Sequence, residues 1–411
     1  MTSTIKTILS ATTALGLLAA AAAADSVKIA YIDPLSGPFA PVGDQGLKHF
    51  QFMADRINAA GGVAGGKMLE ILPFDNRTAP DEALIQMNRA IDQGARLIAQ
   101  GNGSSVAAAI SQAVERHNRR NPDDPVLYLN YAAVDPILTN DRCHFWHFRF
   151  DADADMKMEA LTDWIVTQED VKKVYVLGQD YSFGQAVGRA AEEMINRKRP
   201  DIEIVGNELH PLGRVQDFTP YTQKMRRAGA DLVITGNWGT DMTLLIRAAS
   251  DTGHNVPYLT YYGGGLGAPT AMGQAAVGLV KQITEWHENV AENDEGMVEL
   301  MDAFEEKYGA DFYFYRVKTM FEMLARAMDE TGETDPLSIA MALRGMEHET
   351  ELGTVYMRDD NHQLIQPLYI STFSDDVERD VENLGLGFKT DYRIEGEATH
   401  LDTTCQMNLP G

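Results

Sequence analysis

Val27-Lys28-Ile29-Ala30-Tyr31-Ile32 runs into Asp33-Pro34-Leu35-Ser36-Gly37-Pro38-Phe39-Ala40-Pro41-Val42-Gly43, and an amphipathic segment begins at once. The apolar first piece reads as a strand, and the Gly/Pro-rich piece as the loop that leaves it. Leu47, Phe50, Ala54 and Ile57 then fall on one helical face, which Gly61-Gly62 terminates. Strand, loop and helix in that order are the unit of an α/β fold. In open α/β sheets small ligands sit outside the carboxyl ends of the strands, so this loop, with Phe39 and Val42, is a candidate pocket wall.

The same unit repeats along the chain. Strands are expected at 27–32, 68–74, 96–99 and 126–129, then in a second series at 173–177, 202–206, 231–235 and 257–260, with helical patterns between them. Such alternation implies parallel sheets with right-handed crossovers. With 411 residues the chain exceeds what one core serves, and the two series predict two similar lobes. Residues 144–150, His-Phe-Trp-His-Phe-Arg-Phe, break the rhythm as an extended crossover; 278–286 and 354–357 are two further candidates. Three crossings make both lobes discontinuous: 25–146 with 286–350, and 147–285 with 351–398, followed by a tail at 399–411.

The 60 acidic residues outnumber 35 Lys and Arg, for a formal charge of −25. That balance repels nucleic acid and anionic membrane surfaces. A hydrophobic fraction of 44% still places the chain among folded proteins, with the excess acid on the surface.

Residues 1–24 carry Lys6, an apolar run and a small-residue end at Ala22-Ala23-Ala24, the pattern of a secretory signal peptide cleaved before Asp25. No later stretch approaches the roughly 18 apolar residues that span a bilayer, so no membrane insertion is expected once the leader is gone. No cysteine near the cleavage site offers a lipid attachment. In a Gram-negative source the destination is the periplasm. There, the even count of Cys143 and Cys405 favours a disulfide. Ligation of a metal by Cys143, His144 and His147 is the alternative, weakened because His144 and His147 point to opposite faces of an extended strand.

Several motifs stop short of chemistry. Gly61-Gly-Val-Ala-Gly-Gly-Lys67 lacks the Ser or Thr of a phosphate-binding loop and stands after a helix rather than before one. Asp151-Ala-Asp-Ala-Asp155 lacks the glycine and closing glutamate of a calcium loop, so helix capping is the plainer role. There is no Gly-x-Ser-x-Gly elbow, and Gly263-Gly-Gly-Leu-Gly267 lacks dinucleotide spacing. His117, His254, His348 and His362 have no visible acid or nucleophile partner. The expectation is a binding protein rather than an enzyme, with no metal and no cofactor.

The pattern resembles the type I periplasmic solute-binding proteins of ABC importers, specifically the leucine/isoleucine/valine-binding group. The residues that carry it are Leu35-Ser36-Gly37-Pro38 with Gly43-Asp44, Asn58-Ala-Ala-Gly-Gly-Val-Ala-Gly-Gly66, and Asp180-Tyr-Ser-Phe-Gly184. The resemblance implies two Rossmann-like lobes joined by a three-strand hinge and closing on ligand. It also implies a site. In Gln100-Gly-Asn-Gly-Ser-Ser-Val106, Ser104 and Ser105 would hold a ligand carboxylate beside Asn102 and Gly103. By their own chemistry these serines can cap the following helix, whose free N–H groups receive anions. Tyr131, Ala132 and Ala133 would form the neighbouring wall, and Tyr181, Phe183 and Trp238 the wall from the second lobe. Tyr262 stands where amino-acid-binding members carry a carboxylate for the ligand ammonium. A phenol does not neutralise a buried cation near pH 7, which leaves Asp241 or Asp180 to supply the charge.

The resemblance therefore implies an extracytoplasmic receptor that captures a small carboxylate of the branched-chain amino acid class and delivers it to a membrane permease. An aromatic or other apolar acid without an amine is the alternative ligand. A ligand-sensing module for a signalling partner is the alternative role.

Overall fold

The computed structural model describes residues 26–265 and 267–410, so the leader expected at 1–24 lies outside the described residues. Val27–Asp33 (β1), Leu69–Asp75 (β2), Leu97–Gln100 (β3), Leu127–Asn130 (β4) and His147–Arg149 (β5) form a parallel sheet ordered β2-β1-β3-β4-β5. Ala40–Ala59 (α1), Pro80–Asp92 (α2) and Ser104–Arg120 (α3) connect its first four strands. Alternate side chains enter different cores, as a period of two requires. Ala30, Ile32, Ile98 and Tyr128 pack with α2 and α3, whereas Ile29, Tyr31, Leu97 and Leu129 pack on the opposite face.

The second sheet repeats the plan. Ala154–Val166 (α4) leads into Lys173–Gln179 (β6), and Ser182–Lys198 (α5), Glu203–His210 (β7), Thr219–Ala228 (α6), Leu232–Thr235 (β8), Gly239–Asp251 (α7), Tyr258–Thr260 (β9), Ala268–Met272 (α8) and Val280–Thr284 (β10) follow. Its parallel part is ordered β7-β6-β8-β9-β10, the same winding as the first sheet. Val174, Val176, Leu232 and Ile234 face one core and Tyr175, Leu177 and Val233 the other. In each sheet the order reverses beside the first strand, at β1/β3 and β6/β8. Those switch points are where a doubly wound sheet opens a crevice.

Glu295–Tyr308 (α9), Tyr315–Thr331 (α10) and Pro336–Leu343 (α11) return to the first lobe, where Phe304, Met320, Phe321 and Ile339 join Tyr31 and Phe50 in one core. Glu347–Thr350 (β11), Gly353–Met357 (β12) and Leu364–Ile365 (β13) make a small antiparallel sheet. Leu368–Ser374 (β14) and Gly387–Ile394 (β15) then extend the second sheet in antiparallel fashion beyond β10.

The crossings differ from the sequence expectation in two places. His147–Arg149, expected to begin the second lobe, pairs with β4 and extends the first sheet, so the chain leaves after Arg149. Residues 354–357, expected as the third crossing, belong to β12, whose Val355 and Met357 are buried in the first-lobe core; the chain changes sheets between Ile365 and Leu368. Neither run could be told from a crossing strand by its apolar content, because the first is buried along its length and the second buries Val355 and Met357. Side-chain amides tie these passages together: Gln363 and Gln366 each donate from Nε2 at 2.9 Å, to the Asp151 and Phe150 carbonyls respectively. Cys143 and Cys405 form a disulfide with a Cα separation of 5.7 Å, fastening the tail to the first lobe.

Candidate functional site

Both switch points carry the same tight turn. A Cβ on Gly43 would stand 1.8 Å from the Pro34 carbonyl oxygen, and one on Gly184 would stand 1.9 Å from that of Gln179. Only glycine lets the helix start lie that close to the strand it follows. The motifs at 34–43 and 180–184 are thus backbone requirements that bring two strand-to-helix loops to the edges of one cleft.

A cavity of about 50 Å³ lies between the lobes, room for a small guest rather than a peptide. The first lobe contributes Gly101, Asn102, Gly103 and Ser104 from the end of β3, Ala132 and Val134 after β4, and Val42 and Gln45 from α1. From the second lobe come Tyr181 and Phe183 after β6, Trp238, Gly239 and Met242 after β8, and Tyr262 after β9.

Of the expected site residues, Asn102, Gly103, Ser104, Ala132, Tyr181, Phe183, Trp238, Tyr262 and Val42 line this cavity, and four do not. Ser105 is half-buried in the first turn of α3. Ala133 packs in the core beside α3, its N–H donating to Asn130 Oδ1. Tyr131 lies fully buried beneath the loop: its hydroxyl donates to Asp33 Oδ2 at 2.6 Å and accepts from Asn102 Nδ2 at 2.8 Å. Phe39 packs against Trp238 with the rings tilted, centroids 4.3 Å apart, and lies off the cavity wall. Asp241 spends its Oδ2 on Gln179 Nε2 and the Gly213 N–H, and Asp180 is exposed; neither reaches the cavity wall.

The serine cap also differs from expectation. Gly103 is the N-cap of α3 and no side chain caps it; Ser104 Oγ instead accepts the Asp135 N–H at 3.3 Å. The first-turn N–H groups of α3 thus stay free of side-chain partners beside the cavity, an arrangement that favours an anion. Beneath the loop, Asp33 accepts the Asn102 N–H at 2.9 Å and the Gly101 N–H at 3.3 Å. Burial, only partly offset by these bonds and by Tyr131, pushes its carboxyl up to about 7.

Besides Met242 and Ala268, the sequence reading missed a whole wall: Gln45, Tyr313, Phe314 and Arg316. His49 builds it. Its Nδ1 donates to the Gln45 carbonyl at 2.7 Å, leaving Nε2 to accept the Tyr313 and Phe314 N–H groups at 2.9 and 3.1 Å. Burial lowers the imidazole to about 3, so it stays the neutral acceptor this geometry needs. The clamp fixes the first turn of α10, from which Arg316 donates to Glu285 at 2.6 Å and lies 3.6 Å from Asp151. Burial opposes the guanidinium charge, and those two carboxylates outweigh it and hold Arg316 ionised. Asp151 contacts Lys157 Nζ at 2.7 Å without hydrogen-bond alignment, and that ammonium sits 4.9 Å from the Tyr262 ring centre. Gln45 Oε1, Tyr313 Oη and Arg316 Nε are buried without hydrogen-bond partners. Buried polar groups are ordinarily hydrogen-bonded, and these three belong to residues of the cavity wall.

The aromatic side is neutral. Burial and Asp151 push Tyr262 well above its ordinary range, so it is a phenol at any physiological pH. Trp238 Nε1 donates to Tyr181 Oη at 2.7 Å, and Phe183 stands 6.1 Å from Tyr262. Among the described residues no cluster of His, Cys, Asp or Glu is arranged to hold a metal.

Residues 26–378 match the family model described as periplasmic binding protein. The Leu/Ile/Val-binding protein homolog 4 of Brucella melitensis is 30% identical over 402 residues, covering 96% of this chain and 95% of that one. The leucine-, isoleucine-, valine-, threonine- and alanine-binding protein of Brucella ovis, solved in a closed conformation, superposes with a TM-score of 0.82 at 29% identity, covering 94% of this chain and all of that one. A solute-binding protein of an ABC transporter from Rhodopseudomonas palustris, solved with 3,4-dihydroxybenzoic acid, shares the fold at a TM-score of 0.76 and 20% identity, covering 90% and 98%. The two switch points, the cleft between them and these matches have one meaning: the chain belongs to the periplasmic binding protein family, as a solute-binding protein.

Proposed function

We propose that the cleft captures a small organic carboxylate with an apolar or aromatic body and no ammonium group. One observation carries this reading: among the described residues lining the cavity, Arg316 is the only charged side chain, and no Asp or Glu is present. An ammonium in this site would lose its hydration with no carboxylate facing it, which costs several kcal/mol. A carboxylate gains the guanidinium, Ser104 and the free N–H groups opening α3. Closure follows from contacts made by both lobes at once, since only that difference in affinity shifts the population. In the cell the protein would be exported by its 1–24 leader, work in the periplasm and deliver ligand to an ABC permease; no described helix is long and apolar enough to cross a membrane.

A branched-chain amino acid is the second reading, favoured by the names of the Brucella relatives. Its ammonium would have to reach Asp151, which lies behind the Tyr262 hydroxyl at 3.4 Å and is already shared by Lys157 and Arg316. A thermal-shift series separates the two, because a ligand specific for the folded state raises the melting temperature by mass action. Benzoate and 4-methylpentanoate are expected to stabilise, and leucine, valine and benzamide to have little effect. Stabilisation by leucine and valine without their deaminated analogues would overturn the reading.

A further inference from the structure

Phe39 was expected at the ligand and stands elsewhere. It belongs to the first lobe by sequence, yet it is 3% exposed and is buried in the core of the second lobe, with Trp238 and Phe183. The slot that receives it is made by two glycines. A Cβ on Gly213 would lie 2.9 Å from Phe39 Cε2, and one on Gly239 would lie 2.8 Å from Phe39 Cδ1. Both glycines have positive φ, 65° and 58°, which independently disfavours a side chain at either place. Trp238 closes the slot at 4.3 Å between ring centres, and Thr240 Oγ1 donates to the Pro38 carbonyl across the lobes at 2.6 Å.

The loop that presents the ring is held at its base. The Leu35 N–H and the Ser36 hydroxyl donate to the two oxygens of Asp75 at 2.9 and 2.6 Å, both within the first lobe. Phe39 is therefore a fixed knob on one lobe entering a shaped hole in the other, outside the cavity wall.

We infer that Phe39 is a latch: its insertion into the Gly213–Gly239 slot stabilises the closed arrangement independently of which solute is bound. A contact residue and a latch differ in one readout. Removing a contact changes the ranking of ligands, whereas removing a latch lowers the closed population and weakens every ligand by one common factor, since apparent affinity scales with the competent fraction.

The test uses the full mature chain and two measurements. Small-angle scattering without ligand reports the closed fraction, and calorimetric titration with benzoate, with 4-methylpentanoate and with leucine reports the affinity of those that bind. Phe39→Ala should lower the closed-to-open ratio at least tenfold and raise each measurable Kd by a single factor. Gly213→Ala, which leaves Phe39 in place and fills the slot, should act in the same direction. Thr240→Val, lacking only the hydrogen bond, should give a smaller shift the same way. Unchanged scattering and affinity in folded Phe39→Ala and Gly213→Ala overturns the latch. So does a changed ranking between ligands, which would make Phe39 a contact. Because the scattering arm needs no ligand, an error in the assigned solute leaves this result readable.

Discussion

The two lobes share a winding order and even the same glycine-backed turn, at Gly43 over Pro34 and at Gly184 over Gln179. What they bring to the cleft is opposite in character. The first lobe offers donors and charge: the Gly101–Ser104 backbone, Gln45 and Arg316. The second offers surfaces: Phe183, Trp238, Met242 and the neutral phenols Tyr181 and Tyr262. The winding fixes where a crevice opens, and the side chains placed there decide what it accepts. Polarity from one half and shape from the other also mean that neither half alone distinguishes a ligand, so recognition requires closure.

The largest expected effect comes from removing the first lobe's charge. Arg316→Met leaves Glu285 and Asp151 buried with one cation fewer between them, a loss of about 3–5 kcal/mol in stability. It should also abolish the stabilisation given by benzoate. Adding Glu285→Gln should recover part of the melting temperature without restoring the ligand response, separating the structural from the binding role. If Arg316→Met still responds to benzoate as the parent does, charge recognition by the first lobe is wrong.

Truncating the second lobe's surface should act on a different axis. Phe183 is 2% exposed, and Phe183→Ala is expected to cost about 3 kcal/mol of stability from lost packing. Its effect on binding should fall on the body of the ligand: benzoate weakens more than 4-methylpentanoate, while preference for benzoate over benzamide persists. An altered acid-to-amide ratio would show that the lobes do not divide the task as described.

How much of this was legible depended on sequence distance. Strands such as β1, β6 and β8 announced themselves by short apolar runs ending in Gly-rich loops, and the loops at 101–104, 181–183 and 238 lie where parallel strands end. Side-chain direction was harder. Tyr131 follows β4 at a position whose alternation turns it into the core beside Tyr31, and Ser105 is rotated about 100° from Ser104 on the same helix. Arg316 was out of reach for another reason. It enters the site from α10, far along the chain from every other wall, and an arginine at a helix start is ordinarily solvated. The signal that was available is the run Phe312-Tyr313-Phe314-Tyr315 before it, too apolar for an exposed loop. The third crossing escaped because β12 and the passage after β13 are both short extended segments that bury apolar side chains.

The smallest effect sharpens the comparison from below the polar wall. Asp33 has an ordinary value near 3.8 and is raised by burial to about 7 in the folded protein. Between those values the folded protein keeps a proton that the unfolded chain has released, so this group makes stability fall as pH rises from about 4 to about 7 and contributes no slope outside that window. Asp33→Asn removes its share. The substitution is tolerable because Asn Oδ1 still accepts the Asn102 N–H, the Tyr131 hydroxyl, now facing an amide, can accept instead of donate, and only the longer Gly101 bond at 3.3 Å is given up. Glu288, raised by burial to about 7, leaves a residual slope of the same sign. Buried histidines lowered by burial, His49 among them, contribute a slope of the opposite sign, so the comparison is a signed one: the melting temperature at pH 7.5 minus that at pH 4.5 should be more positive in Asp33→Asn than in the parent. An unchanged difference would mean that Asp33 is ionised throughout, that the Gly101–Asn102 N–H groups already face a full negative charge from below, and that the first lobe's attraction for a carboxylate rests on Arg316 and the opening turn of α3 alone.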